Sequence, residues 1–454
     1  MKMKSLHRNL HAVLLLLLIS GMVSVVCSCS DSSSADSPTY DPSKPITLTS
    51  FYPDSGYYQQ KVLLHGSNFG NDPKAVRVYF NKKQAAVIGA AGDILYVNAP
   101  RLPGDTCQLS VVIGGDSVTY PSTFRYFQTV TVSTICGNGT LDDPIQGGTL
   151  SESVLNPRYL CVDKDGNVFA SCWSATYDDP HLYAGCFGVV RVNEVEDIVD
   201  VVYKSTTTGM EPNVPCADPT TGVVTLPVQA TPGSYISLDP KEYWSPRQKN
   251  MVWPEGYDVP ERGWKHCMVV NPSDGCIYTR FYYGNVIKIN PNTGDVTPIC
   301  KTASGDSYGL TFNPKYPNIL FITMYDNGGS FANSLCCIDL NSSSPQLVRL
   351  SSVNTAGGHR DGRLSVSQFR QPCQIYCDDD GNMYIADRGN DCIRRVTPDG
   401  MVETALGIPG TAGWKDGGKA EALFNQPTGI GVSKDGSVYV ADFGNGRIRK
   451  MTIN

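Results

Sequence analysis

The sequence contains the stretch Phe369-Arg-Gln-Pro-Cys-Gln-Ile-Tyr-Cys-Asp-Asp-Asp-Gly-Asn-Met-Tyr-Ile-Ala-Asp-Arg-Gly-Asn-Asp-Cys-Ile-Arg-Arg-Val, and 55 residues later (369 to 424) it contains Phe424-Asn-Gln-Pro-Thr-Gly-Ile-Gly-Val-Ser-Lys-Asp-Gly-Ser-Val-Tyr-Val-Ala-Asp-Phe-Gly-Asn-Gly-Arg-Ile-Arg-Lys-Met. Each copy has an apolar strand, an Asp-Gly turn, a second apolar strand that ends in Ala-Asp, a Gly-Asn turn and an Ile-Arg strand. This order predicts one antiparallel sheet per copy. A sheet-forming unit repeated at roughly 40 to 50 residues is typical of a propeller blade.

Both copies resemble NHL repeats, because each follows the pattern Asp-Gly-Asn-hydrophobic-Tyr-hydrophobic-Ala-Asp-x-Gly-Asn-x-x-Ile-Arg closely. Weaker copies of the first strand and its turn begin at Asn156, Lys265 and Ser307, and a degenerate copy begins at Pro212. The resemblance therefore implies a six-bladed propeller. Five or seven blades are the alternatives, depending on whether the degenerate copy is a blade.

The last repeat ends after its third strand, so it lacks an outer strand. A ring of sheets has to close, because an unpaired strand edge is exposed to other chains. The segment 128–136, Gln-Thr-Val-Thr-Val-Ser-Thr-Ile-Cys, reads as a strand that belongs to no repeat. We therefore predict that it pairs with 447–453 and closes the ring.

The composition fits a turn-rich all-β protein, with 44 glycines and 30 prolines in 454 residues. The net charge is -6, and no Lys/Arg cluster is present. Nucleic-acid binding needs clustered cations, so no nucleic-acid partner is expected. Fourteen of the 16 cysteines follow Cys29 and form no CxxC pair; we expect mostly free, buried thiols, although exported chains this rich in cysteine often carry disulfides.

The N-terminus has the pattern of an export signal: Lys2, Lys4 and Arg8 precede an apolar run from 13 to 19. The run leads into Val26-Cys27-Ser28-Cys29, which resembles a bacterial lipobox. Residues 1–28 are therefore expected to be a signal peptide, and Cys29 to be the lipidated residue, with a plain secretory signal as the alternative. Residues 29–45 are Ser-, Asp- and Pro-rich and read as a disordered tether. The Ser30-Asp31 start resembles the export signals of Bacteroidetes surface lipoproteins, which implies lipid anchoring in the outer membrane, facing outward.

Residues 46–127 form short alternating apolar and polar runs, which predict a small β-sandwich. The run from Val62 through Gly66-Ser67-Asn68-Phe69-Gly70 resembles the IPT/TIG immunoglobulin-like family. Such domains are usually spacers. The predicted fold is thus all-β: an immunoglobulin-like sandwich at 46–127, followed by a six-bladed propeller at 128–454.

Equivalent repeat positions should form rings around the propeller channel. The position after the second strand of successive blades holds Trp173, Gln229, Tyr282, Tyr325, Arg388 and Phe443. The first position of the inner strand holds Arg158, Asn213, His266 and Tyr308 in the first four blades. Antiparallel pairing should bring both rings to one end of the channel. Aromatic side chains beside Arg, Asn and Gln suit a sugar ligand, because the apolar faces of a sugar stack on aromatic rings and its hydroxyls hydrogen-bond to the polar groups. The alternative is that the aromatic side chains only fill the channel.

Catalytic signals are few. The mature chain has no Gly-x-Ser-x-Gly motif, and only His266 of its histidines is expected at the channel. Neither a metal nor another cofactor is expected. Asp178, Asp179, Asp361 and Glu261 are acidic candidates, but ordinary loop charge explains them as well; Asp387 and Asp442 read as turn caps. The sequence thus favours a non-catalytic surface lipoprotein. Its resemblance to accessory lipoproteins of Bacteroidetes glycan-uptake systems implies that it captures a polysaccharide or oligosaccharide beside an outer-membrane transporter complex. A hydrolase or lyase at the same mouth and a protein adhesion module are the alternatives.

Overall fold

The computed structural model describes residues 39–101, 106–127, 129–141, 144–173, 187–205, 210–228, 233–260 and 264–453. The chain divides between Phe127 and Gln128 into two compact units. Its regular structure is almost entirely β, as predicted. The short 3-10 helices are Pro240–Glu242, Gly329–Phe331, Leu364–Val366, Arg388–Asn390 and Phe443–Asn445. In the described part of the chain, no helix has the length and apolar character needed to cross a bilayer.

The first unit is a single eight-stranded sheet that is bent into a barrel-like form. Its strands are β1 (Thr47–Tyr52), β2 (Ser55–Gly56), β3 (Lys61–Ser67), β4 (Val76–Phe80), β5 (Lys83–Ala90), β6 (Ile94–Asn98), β7 (Thr106–Ile113) and β8 (Asp116–Tyr126). They pair in the order β1-β3-β6-β5-β4-β7-β8-β2. Strand β5 joins the two faces, because its first half pairs with β4 and its second half with β6. Inward-facing apolar residues such as Leu64, Val78 and Phe124 form the core.

The second unit contains six sheets, and four of them have four strands each. The first blade comprises β10 (Pro157–Val162), β11 (Val168–Trp173), β12 (Phe187–Asn193) and β13 (Ile198–Lys204), and the second comprises β14 (Cys216–Ala217), β15 (Val224–Pro227), β16 (Ser234–Leu238) and β17 (Pro246–Asn250). The third blade comprises β18 (Lys265–Val270), β19 (Ile277–Phe281), β20 (Asn285–Ile289) and β21 (Val296–Lys301). The fourth comprises β22 (Gly309–Asn313), β23 (Tyr316–Met324), β24 (Ser334–Asp339) and β25 (Val348–Arg349). Within each blade the strands pair in chain order.

The last two blades correspond to the two NHL-like stretches and carry an extra edge strand each. The fifth blade comprises β26 (Gly362–Arg363), β27 (Pro372–Cys377), β28 (Met383–Asp387), β29 (Cys392–Val396) and β30 (Met401–Leu406). The sixth comprises β9 (Val130–Cys136), β31 (Gly417–Gly418), β32 (Pro427–Val432), β33 (Val438–Asp442) and β34 (Arg447–Ile453).

The six innermost strands form a closed ring. Strand β10 contacts β14, then β18, β22, β27 and β32 follow, and β32 contacts β10 again. This ring confirms the six-bladed propeller, including the degenerate second blade. The blades approach closely: a Cβ on Gly429 of the sixth blade would lie 2.8 Å from the Cα atom of Tyr159 in the first.

The ring closes as predicted. Strand β9 pairs antiparallel with β34, and Val132 lies opposite Met451. The short strand β31 covers the other edge of β9, where Gly418 lies opposite Thr131. The sixth sheet therefore combines the first strand of the propeller with its last three, and the ends of the propeller segment hold each other in place.

A buried arginine anchors each NHL-like repeat. In the fifth blade, the Arg394 guanidinium donates to Asp387 (2.8 Å) and to Asp361 (2.5 Å). Its carbon lies 4.9 Å from the centre of the Phe369 ring. In the sixth blade Arg449 makes the equivalent contacts with Asp442 (2.7 Å) and Asp416 (2.6 Å). The two copies place these residues at the same spacing and therefore form the same ion-pair cluster twice.

Both central carboxylates of these clusters are structural. Asp387 accepts hydrogen bonds from the backbone N–H of Arg370 and from the side chain of Asn390, each at 2.8 Å, and has no exposed surface. Burial raises the pKa of Asp387 to about 6, so the carboxylate is ionised at neutral pH and pairs with Arg394. Neither Asp387 nor Asp442 caps the turn that follows it, so the turn-capping role expected from the sequence is wrong: the carboxylates bind the buried arginines and a backbone N–H of the preceding loop instead.

The thirteen cysteines that the structure describes are all free, and eight of them are buried. Burial raises the pKa of the Cys373 thiol to about 12 and acts in the same direction on Cys172 and Cys216. These thiols therefore stay protonated at neutral pH and pack as small apolar side chains.

Candidate functional site

The strand register brings the two predicted rings to one end of the propeller. Pro157 pairs with Cys172, Pro372 with Asp387, and Pro427 with Asp442. Residues that begin an inner strand therefore lie beside residues that follow the second strand. The degenerate blade keeps this arrangement through a bridge between Pro212 and Val228. We call this end of the propeller the mouth.

Arg158 is the centre of one half of the mouth. Its guanidinium carbon lies 4.2 Å from the centre of the Trp173 ring and 5.1 Å from that of Phe443. These are cation–π contacts between the first blade and the sixth. The Trp173 indole is fixed in turn by a 2.9 Å hydrogen bond from Nε1 to the carbonyl oxygen of Pro212. Arg158, Trp173 and Phe443 are all half-buried.

Tyr308 is the centre of the other half. Its ring packs against His266, with centroids 4.7 Å apart, and edge-on against Tyr325 at 5.4 Å. The Tyr325 hydroxyl accepts a short hydrogen bond from Nη1 of Arg388. Nη2 of Arg388 donates to Oε1 of Gln426 at 2.8 Å. Predicted residues from the third, fourth and fifth blades therefore form one connected group.

His266 is the buried member of this group. Its Nδ1 atom lies 3.2 Å from Oδ1 of Asp306, and the residue is 6% exposed. Burial lowers the pKa of His266 to about 4, although the Asp306 carboxylate acts in the opposite direction. The imidazole is therefore neutral at physiological pH.

A stack of two tyrosines connects the halves across the channel. Tyr159 on β10 and Tyr308 beside β22 stack with centroids 5.5 Å apart and an angle of 16° between the rings. Blades one and four lie on opposite sides of a six-membered ring, so this stack spans the channel. The channel is thus filled beneath the mouth, which agrees in part with the alternative that aromatic residues pack there.

Sequence reasoning missed Tyr159, Asp306 and Gln426. It considered only the first position of each inner strand, and Tyr159 is the residue after that position in the first blade. The register shifts between Pro157 and Tyr159, which is a β-bulge. Similar shifts occur at the start of β18, β27 and β32. The bulge lets both Arg158 and Tyr159 take part in channel contacts.

Two predicted residues that the structure describes stand apart from these two groups. The Tyr282 ring packs edge-on against Trp264 and Tyr283 and is half-buried. Asn213 is 1% exposed, and neither its Oδ1 nor its Nδ2 atom has a hydrogen-bond partner. A ligand could reach this amide only if its surroundings moved. Gln229 lies outside the described residues.

Of the acidic candidates, Asp361 is structural. It bonds Arg394 and accepts from the backbone N–H of Thr404 at 3.0 Å. Burial opposes ionisation, but the Arg394 guanidinium outweighs it and holds the pKa of Asp361 below its usual value. Asp178, Asp179 and Glu261 lie outside the described residues, as does Cys29. Within the described ranges, no three His, Cys, Asp or Glu side chains cluster as a metal site.

Comparison with known families supports both halves of this architecture. Residues 46–126 match the IPT/TIG domain family, and residues 424–451 match the NHL repeat. The protein therefore combines an IPT/TIG domain with a six-bladed β-propeller that contains an NHL repeat. The curated relatives that the chain matches are covered only in part, to 9%, 55% and 3% of their lengths.

Several solved structures share the fold over most of the chain. A structural genomics protein of unknown function from Bacteroides thetaiotaomicron is 24% identical, with a TM-score of 0.77 over 92% of this chain and 100% of its own. An auxiliary nutrient binding protein from Bacteroides thetaiotaomicron is 20% identical, with a TM-score of 0.58 over 92% of this chain and 99% of its own. Another auxiliary nutrient binding protein, from Bacteroides ovatus, is 21% identical, with a TM-score of 0.59 over 92% of this chain and 100% of its own.

Proposed function

We propose that the protein is a non-catalytic binding lipoprotein that captures a nutrient, a polysaccharide or oligosaccharide, at the mouth of its propeller. The observation that carries this proposal is the grouping of half-buried aromatic and arginine side chains from four blades at one end. Trp173, Tyr325 and Phe443 each keep part of their surface exposed. Aromatic surface next to planar hydrogen-bonding groups is the chemistry that sugars require.

The fold-level neighbours support the nutrient-binding part of the proposal. Two structures that share the fold over 92% of this chain are auxiliary nutrient binding proteins from Bacteroides. Fold alone does not determine a ligand. The glycan is therefore argued from the side chains at the mouth.

The binding test uses the two ends of one strand. Tyr325 directly follows β23 at the mouth, whereas Tyr316 begins β23 at the opposite end and is 50% exposed. The purified protein is screened on a glycan array, and the strongest ligand is titrated by calorimetry. Tyr325→Ala and Trp173→Ala should each weaken binding by roughly 1 kcal/mol or more, about fivefold in Kd. Tyr316→Ala should bind like the wild type. If the three variants bind equally well, the mouth is not the site.

The proposal includes attachment to the outer membrane through a lipid on Cys29, within reach of an outer-membrane transporter complex. The lipobox-like Val26-Cys27-Ser28-Cys29 supports it, and a lipid chain anchors a protein without spanning the bilayer. In the native host, labelled palmitate should enter the wild type and the Cys27→Ala variant but not Cys29→Ala. Added protease should cleave the protein on intact cells. Labelling of Cys29→Ala or full protection from protease would contradict this part.

One observation favours an enzyme as the second candidate. His266 and Asp306 form a pair beside Tyr308, and a neutral imidazole held by a carboxylate can act as a general base. If the protein is a glycan hydrolase or lyase, incubation with its best ligand yields shorter products, and His266→Gln abolishes them. If it is the binding protein that we propose, the ligand is recovered intact after prolonged incubation.

A further inference from the structure

The two arginines at the mouth have no carboxylate partner among the described residues, whereas several other buried or half-buried arginines of the propeller do: Arg191, Arg394, Arg395 and Arg449. Arg349 and Arg447 bond backbone carbonyl oxygens instead. Arg394 and Arg449 each bond two carboxylates, and Arg191 bonds Asp200. Arg280 has no carboxylate partner, but its guanidinium donates to hydroxyl and carbonyl oxygens, including Gly305 O at 2.8 Å and Ser307 Oγ at 3.1 Å. In each of these cases, oxygen acceptors on the protein satisfy the cation.

Arg158 lacks such acceptors. Its contacts are with the faces of Trp173 and Phe443, and its buried Nε atom has no hydrogen-bond partner. Arg388 bonds only neutral oxygens, those of Tyr325 and Gln426, and its buried Nε is also unpartnered. Within the described part of the chain, neither guanidinium has a carboxylate partner.

Two carboxylates that contact members of the Tyr308 group or the neighbouring inner strand are engaged elsewhere. Asp306 lies against His266, and Asp326 accepts a hydrogen bond from Nε2 of Gln371 at 2.7 Å. Both arginines contact the sixth blade, Arg388 through its hydrogen bond to Gln426 and Arg158 through the Phe443 ring, so they lie on either side of the same blade. Two half-buried cations thus flank the sixth blade on aromatic and amide supports, with no carboxylate partner among the residues that the structure describes.

Such an arrangement is costly unless an anion completes it. A partly desolvated cation without a partner loses hydration that aromatic faces restore only in part. Guanidinium groups bind carboxylates and other oxyanions through paired N–H donors in a planar fork. The Nη groups of Arg158, for which the described residues supply no acceptor, and the second N–H of each Nη group of Arg388 are donors of this kind.

We propose that the ligand of the mouth is anionic: an acidic oligosaccharide whose carboxylate or sulfate group is bound by Arg158 and Arg388. This inference rests on the proposed glycan-binding function and makes it more specific. Trp173, Tyr325 and Phe443 then pack against the sugar, while the two arginines select its charge.

The first experiment needs only the wild-type protein. Its binding is compared on oligogalacturonides, which carry carboxylates, on sulfated chondroitin oligosaccharides, and on neutral malto- and xylo-oligosaccharides. The best anionic ligand is then tested after reduction of its carboxyl groups or removal of its sulfates. We expect binding of the anionic probes only, a Kd that rises with NaCl, and binding at least about tenfold weaker after neutralisation.

The second experiment uses variants. Arg158→Met and Arg388→Met should each weaken binding of the anionic ligand roughly ten- to hundredfold, and Arg158→Lys should recover part of the loss because it keeps the charge. Arg247→Met is the matched control, since Arg247 is exposed on β17 and pairs with Glu242. If a methionine variant fails to fold, the affinities of the wild-type protein for the native and the neutralised ligand still show whether the ligand's charge is recognised.

The possible failures are distinguishable. Equal binding of the native and neutralised ligands, lost in Trp173→Ala, would overturn the anionic ligand and leave the glycan-binding function intact. Arginine variants that lose stability but keep full affinity for the anionic ligand would likewise overturn it. Absence of binding to every oligosaccharide, charged and neutral, would overturn the proposed function and this inference with it.

Discussion

Removing the buried arginine of the last repeat should destabilise the propeller strongly. Arg449 has no exposed side-chain surface and donates to Asp442, to Asp416, and to the carbonyl oxygens of Leu423 (3.0 Å) and Lys415 (2.8 Å). Arg449→Met keeps an apolar chain against Phe424 but leaves the fully buried Asp442 carboxylate without its cation. Breaking a buried pair in this way costs about 3 to 5 kcal/mol.

The matched control is an arginine whose ion pair is exposed. Arg247 and Glu242 are 2.9 Å apart, with 64% and 48% of their side chains accessible. Arg247→Met should therefore cost at most about 1 kcal/mol. By scanning calorimetry of the full mature chain, the unfolding transition should fall by roughly 6 to 12 °C for Arg449→Met and by no more than about 3 °C for the control.

The pH dependence identifies the cause of this loss. Burial already raises the pKa of Asp442 to about 6 in the folded protein. Without Arg449 it should rise further, so the folded variant binds a proton more readily than the folded wild type. The loss of unfolding free energy in Arg449→Met, relative to the wild type, should therefore become smaller as the pH falls from 8 to 5. The change should be about 1.4 kcal/mol for each unit by which the variant's Asp442 pKa exceeds that of the wild type. This explanation would be refuted if Arg449→Met lost no more unfolding free energy than Arg247→Met, or if its loss were the same at pH 8 and pH 5.

Three further predictions concern the ring and the channel. Thr131 lies between β31 and β34, so Thr131→Pro should remove a ladder hydrogen bond and cost about 3 kcal/mol; Thr131→Ala is the control, and equal melting temperatures would show that β9 does not close the ring. Gly429→Ala places a Cβ 2.8 Å from the Cα of Tyr159 and should cost about 1 to 3 kcal/mol in urea unfolding. The control is Gly233→Ala, which meets no atom within 4 Å; a similar loss in both variants would contradict the close contact. Because burial lowers the folded pKa of His266 to about 4, from 6.5, protonation favours the unfolded chain between these values. The wild type should therefore lose roughly 3 kcal/mol relative to His266→Gln as the pH falls from 6.5 to 4; parallel stability curves would show that this histidine is not buried as described.

The fold could be predicted because its signals are local. The two full repeats place Asp-Gly and Gly-Asn turns at fixed spacing, and each turn specifies its own hairpin. Closure by β9 followed from counting strands, because the last repeat lacks an outer strand. Even the degenerate copy at Pro212 forms a blade, although its inner strand is only Cys216–Ala217.

The site could be predicted only in part, because its contacts cross between blades. Repeat alignment placed Arg158, Trp173, Tyr325 and Arg388 at one end, since equivalent positions share a register. It could not show that Arg158 lies against Trp173 and Phe443. Nor could it show that Tyr159 stacks on Tyr308, a residue 149 positions later (159 to 308) on the opposite blade. The register shift between Pro157 and Tyr159, beside this stack, has no signature in the alternation of apolar and polar residues along the strand.

The most direct test of the central claim is a crystal structure of the protein with the oligosaccharide that binds best on the array. The account predicts density for the sugar at the mouth, in contact with Trp173 and Tyr325, with its anionic group bonded to Arg158 and Arg388. Density at the opposite end, beside Tyr316, or on the IPT/TIG domain would contradict it.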